Sequence, residues 1–230
     1  NIYWQVANYD NMSVKKQFIN GVIWSSLGRF SSLGIQLVVS IILARILGPY
    51  EYGIIGILTV FIAIAQILLD SGFGQALIQR GKDNQIDYSS VFFLNLAIGI
   101  LLYSILYAVS PLLDDFYNIG DLHKYARLIF LVIPINSLGI IPRTLLTRDL
   151  QFKKISIIDI TSSLLSGGIG IYAALIGFGV CALIIQMLSI NILRTILSII
   201  VRKWRPVLNI SFSTIKDLFP FGVNLMLTSL

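Results

Sequence analysis

Three arginines stand inside stretches that are otherwise apolar enough to cross a bilayer. Arg29 and Arg45 lie in 25–49, SSLGRFSSLGIQLVVSIILARILGP, and Arg194 lies in 180–201. An arginine at mid-membrane costs about 2.5–3.5 kcal/mol on insertion scales, so it persists mainly where it faces a bundle interior or a water-filled cavity. On a helix turning about 100° per residue, Ser25, Ser32, Gln36 and Ser40 fall within roughly 60° of Arg29, while Arg45 lies about 160° away. The first stretch therefore carries a polar stripe. Arg45, beside Gly48-Pro49, is placed to snorkel to headgroup phosphates. Thr59, Ala63, Gln66 and Asp70 share one line of the second stretch, and Asp159, Ser163, Ser166 and Gly170 share one line of the fifth. Asn191, Arg194, Thr195 and Ser198 cluster on the sixth, with Gln186 on another side, whereas the third carries little beyond Asn95. Such stripes suggest a polar cavity. The competing reading for the serines and glycines is close helix packing, with side-chain hydrogen bonds averaging about 0.6 kcal/mol. An Asp159–Arg194 pair fits either reading, but Arg29 has no evident partner. Embedded cations exceed embedded anions, which favours an anionic substrate such as a phosphate or diphosphate. Asp70 and Asp159 are candidates for coupling to protons or sodium, with helix-end or ion-pair roles as the alternative.

Enzymatic chemistry finds little room. Asp114-Asp115 is not a spaced metal pair, His123 stands alone beside it, and Gly72-x-Gly74 lacks the strand and remaining glycines of a nucleotide-binding fingerprint. Neither a cofactor site nor a metal site is indicated.

The elements that hold these residues follow from composition. Of 230 residues, 56% are hydrophobic and 12% charged, and mean hydropathy is +0.85. Soluble domains carry about 25% charged residues, so the expectation is an all-α integral membrane protein. A pI near 9.5 would suggest nucleic acid for a soluble chain; here the cations sit at span ends, and membrane lipids are the implied neighbours. Cys181 lies in an apolar run as a small packing residue. Six spans are expected at about 21–47, 52–69, 89–113, 125–146, 155–176 and 180–201, with the fourth kinked or broken by Pro134 and Pro142. An acidic loop at 114–124 and a basic connector at 143–154 are expected between spans. With the N-terminus cytoplasmic, the inner segments hold Lys15, Lys16, Arg80, Lys82, Arg143, Arg148, Lys153, Lys154, Arg202, Lys203, Arg205 and Lys216, which is most of the 17 Lys and Arg. The outer segments keep Lys124 and Arg127, so the positive-inside rule places both ends in the cytoplasm.

The expected division is 1–11 as a non-native or poorly ordered extension, 12–205 as a six-helix transmembrane bundle, and 206–230 as a cytoplasmic linker and the start of a seventh span. Lys15, Phe18, Gly21 and Val22 recur 201 residues later as Lys216, Phe219, Gly222 and Val223. Both copies enter the membrane from the same side, a parallel-repeat habit of transporters. The chain reads as a fragment of something longer, with a substrate path between two repeated halves.

The run ILARILGPYEYGIIGILTVFIAIAQILLDSGFGQALIQR resembles the start of bacterial polysaccharide flippases, the Wzx-type branch of the multidrug/oligosaccharidyl-lipid/polysaccharide exporter superfamily. VFFLNLAIGILL, IPRTLLTRDLQFKKISIIDITSSLLSGGIGI, the WRP after the sixth span and LFPFG continue the likeness across residues 12–230. The resemblance implies twelve to fourteen helices in two bundles that open alternately to either side. It implies transport of an undecaprenyl-diphosphate-linked oligosaccharide from the cytoplasmic to the periplasmic leaflet of the bacterial inner membrane, for lipopolysaccharide, capsule or exopolysaccharide synthesis, with polysaccharide polymerase machinery as a partner. Arg29 and Arg194 best fit the cavity arginines that hold the diphosphate, and Gln36, Arg45, Gln66 and Asn191 complete the set of substrate-binding candidates. Arg45 belongs to the shared motif and lines the outer mouth or locks the first turn. Two alternatives stay open: an ion-coupled multidrug antiporter of the same superfamily, against which the excess of embedded arginine argues, and a non-transporting membrane scaffold.

Overall fold

Backbone N–H and C=O groups in hydrocarbon must find their partners inside the segment, so apolar stretches of this length fold as helices. The computed structural model describes residues 2–69 and 85–208, with side chains from residue 20 onward. The helices are α1 (Ile2–Ile46), α2 (Pro49–Leu69), α3 (Gln85–Tyr117), α4 (Leu122–Ile129), α5 (Val132–Arg148), α6 (Phe152–Leu175) and α7 (Val180–Arg202). Among the described residues six stretches are long and apolar enough to cross a membrane, with α4 and α5 together making the fourth. The protein is an all-helical, multi-pass membrane protein. Asp70, Arg80, Lys82, Lys216 and the expected seventh-span start lie outside the described residues.

Several local features follow from single residues. Pro49 opens α2, where its missing N–H costs nothing, and Glu51 in the first turn suits the positive end of the helix dipole. The break in the fourth span falls at Phe130–Leu131, four residues before Pro134, whose ring cannot donate to the Phe130 carbonyl and crowds it. Ile133 N–H takes that carbonyl instead at 3.0 Å. Pro142 leaves α5 unbroken. Pro111, inside α3, deprives the Tyr107 carbonyl of a donor, and the Ser110 hydroxyl supplies one at 2.8 Å.

Two expected loops are shorter than the sequence suggests. Asp114 and Asp115 belong to α3, and the turn is confined to 118–121, where Asn118 and Asp121 take left-handed φ of 53° and 65°. His123 is not isolated: its backbone N–H donates to Asp114 Oδ1 at 2.7 Å and its ring Nδ1 lies 2.5 Å from Oδ2. The carboxylate thereby occupies the positive end of α4. Arg143 and Arg148 likewise lie on α5 rather than in a connector, which reduces to 149–151.

α1 lies along α6, α6 against α7, α7 against α5 and α5 against α3, while α2 rests on α5 and α7. The α1–α6 contact is close because Gly28 faces Ser156; a Cβ at Gly28 would sit 2.4 Å from Ser156 Cβ and 2.9 Å from its Cα. Ser156 Oγ donates to the Trp24 carbonyl of α1 at 2.6 Å. Gly28→Val is therefore expected to pry α1 from α6 and destabilise the protein by about 1–3 kcal/mol, read as a lower thermal midpoint in detergent; an unchanged midpoint would refute the close contact. Ser162, Ser163, Ser166, Gly167 and Gly170 are buried between helices, so packing accounts for most of the fifth span's stripe.

Beyond the turn that ends α7, the chain folds back on α3. Trp204 packs edge-on to Phe92 at 5.5 Å between ring centres. Val207 N–H donates to Ser89 Oγ at 2.9 Å, and Gln85 Nε2 donates to the Arg205 carbonyl at 3.3 Å.

Candidate functional site

Apolar clusters occupy the end of the bundle near the α1–α2 turn. One joins Ile54, Leu58 and Ile62 of α2 to Phe130, Ile133 and Ile184. Another joins Val39, Leu43 and Leu47 of α1 to Ala173, Ala174 and Leu183. Between these and the opposite end the helices turn polar faces to one another. A cavity of about 350 Å³ opens there, lined by Ser25, Arg29, Ser32 and Gln36 of α1, Ser156 and Asp159 of α6, Arg143 of α5 and Arg194 of α7. A second, of about 250 Å³, is lined by Gln66, Asn136, Gly139, Asn191, Thr195 and Ser198, and shares Arg143 and Arg194 with the first. At about 1.5 Å per residue, Arg29 lies about 12 Å from residue 21, where the sequence places the start of its span, and Arg194 about 12 Å from the end of α7 at Arg202. Both are thus well inside a hydrocarbon layer about 30 Å thick.

Asp159 organises the charges. Arg143 grips it with two parallel bonds, Nη1 to Oδ1 at 2.9 Å and Nη2 to Oδ2 at 2.7 Å, the fork geometry that suits guanidinium to carboxylate. Arg194 Nε lies 3.3 Å from Asp159 Oδ1 but is not aligned to donate, and it is buried without a hydrogen-bond acceptor. Arg29 makes no ion pair among the described residues, and it is exposed to the cavity. Three guanidiniums and one carboxylate therefore line the cavity, leaving the site formally cationic by two charges, with an orphaned donor on Arg194 and a free fork on Arg29. An oxyanion with several acceptor oxygens complements such a site.

The amide-lined cavity has another character. Asn136 Nδ2 donates to Gln66 Oε1 at 3.1 Å, Asn191 Nδ2 donates to the Met187 carbonyl at 2.7 Å, and Thr195 Oγ1 donates to the Ile135 carbonyl at 3.2 Å. These bonds leave the Gln66 amide N–H₂ and the Asn191 carbonyl oxygen to face the cavity, a donor and an acceptor of the kind that hydroxyl-rich groups use.

The structure brings together Arg29, Gln36, Asp159 and Arg194 in one cavity and Gln66, Asn191 and Arg194 in the other. Gln36 Nε2 reaches Ser163 Oγ at 3.5 Å. Arg45 lines neither cavity; it is exposed at the last turn of α1, about 24 Å along the axis from Arg29. Asp70 lies outside the described residues. Sequence reasoning missed Arg143 and Asn136. Their signal was present: Asn136, Gly139 and Arg143 stand at i, i+3 and i+7, one face of a helix, and assigning Arg143 to a connector hid it.

A helical bundle that keeps uncompensated arginines inside the membrane defines a multi-pass membrane protein built around a polar, anion-attracting cavity. Residues 42–230 match the family described as polysaccharide biosynthesis protein, and the chain belongs to that family. It is 31% identical over 215 residues to the teichuronic acid biosynthesis protein TuaB of Bacillus subtilis, covering 91% of this chain and 44% of that protein. It is 32% identical over 159 residues to the lipopolysaccharide biosynthesis protein WzxC of Escherichia coli, covering 68% and 32%. It is 26% identical over 211 residues to the succinoglycan biosynthesis transport protein ExoT of Rhizobium meliloti, covering 92% and 43%. The chain thus spans less than half the length of the curated relatives it matches. No solved structure matches it.

Proposed function

We propose that this chain forms the first helical bundle of a non-enzymatic lipid-linked oligosaccharide flippase. The substrate is an undecaprenyl-diphosphate-linked sugar repeat unit, carried from the cytoplasmic to the outer leaflet of the bacterial inner membrane for surface polysaccharide synthesis. The N-terminus is cytoplasmic, a second bundle closes the open side of the cavity, and the two alternate in access. The observation that carries the reading is one cavity lined by Arg29, Arg143 and Arg194 and by a single carboxylate, Asp159, in a chain of the family described as polysaccharide biosynthesis protein.

The physical problem is that a diphosphate cannot enter hydrocarbon unpaired; the Born cost is tens of kcal/mol. A hydrated cavity with guanidinium donors replaces its water while the polyprenyl tail stays in the bilayer. Arg29 and the unsatisfied Nε of Arg194 receive phosphate oxygens, and the neighbouring amides of Gln66, Asn136 and Asn191 receive sugar hydroxyls. Asp159 holds Arg143 and draws on Arg194, so the site attracts the anion without closing on it permanently. A cation antiporter would need a carboxylate free to bind its cargo, whereas Asp159 already carries a guanidinium on both oxygens.

The test is translocation in proteoliposomes, followed by the accessibility of the lipid-linked glycan to an external glycosidase. Time-dependent exposure of the glycan is expected; absence of translocation together with uptake of lipophilic cations would refute the reading. Gln66→Ala and Asn191→Ala are each expected to raise the apparent KM for the glycosylated lipid about fivefold, the worth of one hydrogen bond near 1 kcal/mol, and to leave the sugar-free polyprenyl diphosphate unaffected. Equal effects on both lipids would remove the sugar from that cavity.

A further inference from the structure

A third cavity, of about 470 Å³, lies at the bundle end where α1 and α6 begin their spans, lined by Asn20, Trp24, Asp149, Lys153 and Lys154 among others. Its walls are span ends: the sequence places the start of the first span at about residue 21, the fourth span ends at Arg148 and the fifth begins at Phe152. In a membrane this plane is that of the lipid headgroups. We propose that this pocket binds the phosphate headgroup of an anionic membrane phospholipid, as a site separate from the central cavity.

The charge pattern supplies the ligand's sign. Asp149, the pocket's one carboxylate, faces Arg148 Nε at 3.2 Å from Oδ1 and Arg202 Nη2 at 3.2 Å from Oδ2, so both its oxygens are taken. Arg148 is also bonded to the Tyr88 hydroxyl. Lys153 and Lys154 are exposed and make no ion pair among the described residues. Lys153 Nζ stands 5.1 Å from the centre of the Trp24 ring, which fixes the ammonium at the pocket wall but offers it no oxygen acceptor. Trp24 itself is of the type that anchors at a membrane interface. A phosphodiester would supply the acceptors that both lysines lack among the described residues, with its glycerol and acyl portions lying along the outer faces of α1 and α6, where Ile23, Leu27 and Ile157 are exposed.

The pocket's separateness is built by Phe152, which lines both this cavity and the central one. Its ring lies against Gly21, where a Cβ would come within 2.8 Å of Phe152 Cδ2. Glycine at that position lets the aromatic wall close between the two spaces.

The purified protein in neutral detergent is titrated with dioctanoyl-phosphatidylglycerol, dioctanoyl-phosphatidylcholine or inorganic phosphate. Saturable binding of phosphatidylglycerol alone is expected. The pair K153Q/K154Q should weaken it about 10- to 30-fold, as two basic residues at an anionic lipid surface would, while K153R/K154R retains it and R29A/R194A leaves it unchanged. In the wild-type protein, phosphatidylglycerol but not phosphatidylcholine should shield Lys153 and Lys154 from an amine-acylating reagent, a result that needs no variant to fold. Unaltered affinity in K153Q/K154Q, equal binding of phosphatidylcholine, equal binding of inorganic phosphate, or absence of shielding would each overturn the site. Displacement of phosphatidylglycerol by equimolar polyprenyl diphosphate from the R29A/R194A protein would assign the pocket to the transported lipid and overturn the phospholipid reading. None of these measurements uses translocation, so the site and the flippase reading fail separately.

Discussion

Arg29→Ala is expected to lower the rate of lipid-linked oligosaccharide translocation about 100-fold, with little change in the thermal midpoint. The magnitude follows from a charge-assisted contact to phosphate in a partly desolvated site, worth about 2–5 kcal/mol, at about 1.4 kcal/mol per decade. The stability half follows from geometry. Arg29 is exposed to the cavity and makes no ion pair among the described residues, so its removal strands no buried partner. Arg29→Lys keeps the charge but loses the planar fork and should recover a measurable part of the rate. Initial rates in proteoliposomes at equal protein content decide it. Wild-type rates in the alanine variant would leave a packing role for Arg29 and remove the central cavity as the diphosphate site.

How much of this site was legible in the sequence depends on what each residue's environment leaves in the one-dimensional pattern. Arg29 announced itself because the cost of a lone mid-membrane charge is paid in plain sight, in an apolar run with Ser25, Ser32 and Gln36 on the same face. The periodicity placed those residues on one wall, and the structure puts them on one cavity. The fifth span shows the limit of the same method. Asp159, Ser163, Ser166 and Gly170 are equally well aligned, yet only Asp159 among them reaches the cavity, the others being pressed between helices. Angular periodicity reports a face, and a face meets a neighbouring helix as readily as water; distance along the axis decides which.

Arg143 failed for the opposite reason. Near Arg148, Lys153 and Lys154 it looked like one more cation of a membrane-surface connector, the pattern from which orientation is read. Its partner, Asp159, is 16 residues away across a turn, a relation no local pattern contains. The kink in the fourth span was readable from Pro134 because proline acts on its own backbone four residues upstream. Choosing Pro134 over Pro142 needed the tertiary environment, since α5 stays regular through Pro142. His123 and Asp114 likewise pair across a turn whose tightness rests on left-handed Asn118 and Asp121.

Asp159→Ala is expected to slow translocation about tenfold while lowering the apparent KM for the substrate, the signature of a site that binds well and releases poorly. Asp159 holds Arg143 through two bonds and lies 3.3 Å from Arg194 Nε. Without it two guanidiniums are left to the substrate alone, and a third phosphate-binding group forms where a counter-ion had stood. A diphosphate gripped by three free arginines loses the balance between capture and release that transport requires. Stability should fall as well. Removing one partner of a buried pair costs about 3–5 kcal/mol, but the side chains of Arg143 and Arg194 are 42% and 31% exposed, and screening reduces the expectation to about 2 kcal/mol. The double variant Asp159→Ala/Arg143→Ala relieves the unpaired charge and should be more stable than Asp159→Ala alone, a coupling that a double-mutant cycle measures. Asp159→Asn separates this counter-ion role from ion coupling, because the amide keeps the shape and loses the ionisable group. A fall in both KM and maximal rate in Asp159→Asn supports the counter-ion role. A transporter that keeps its KM but no longer responds to an imposed ion gradient would move Asp159 to ion coupling and leave Arg29 and Arg194 to hold the diphosphate alone.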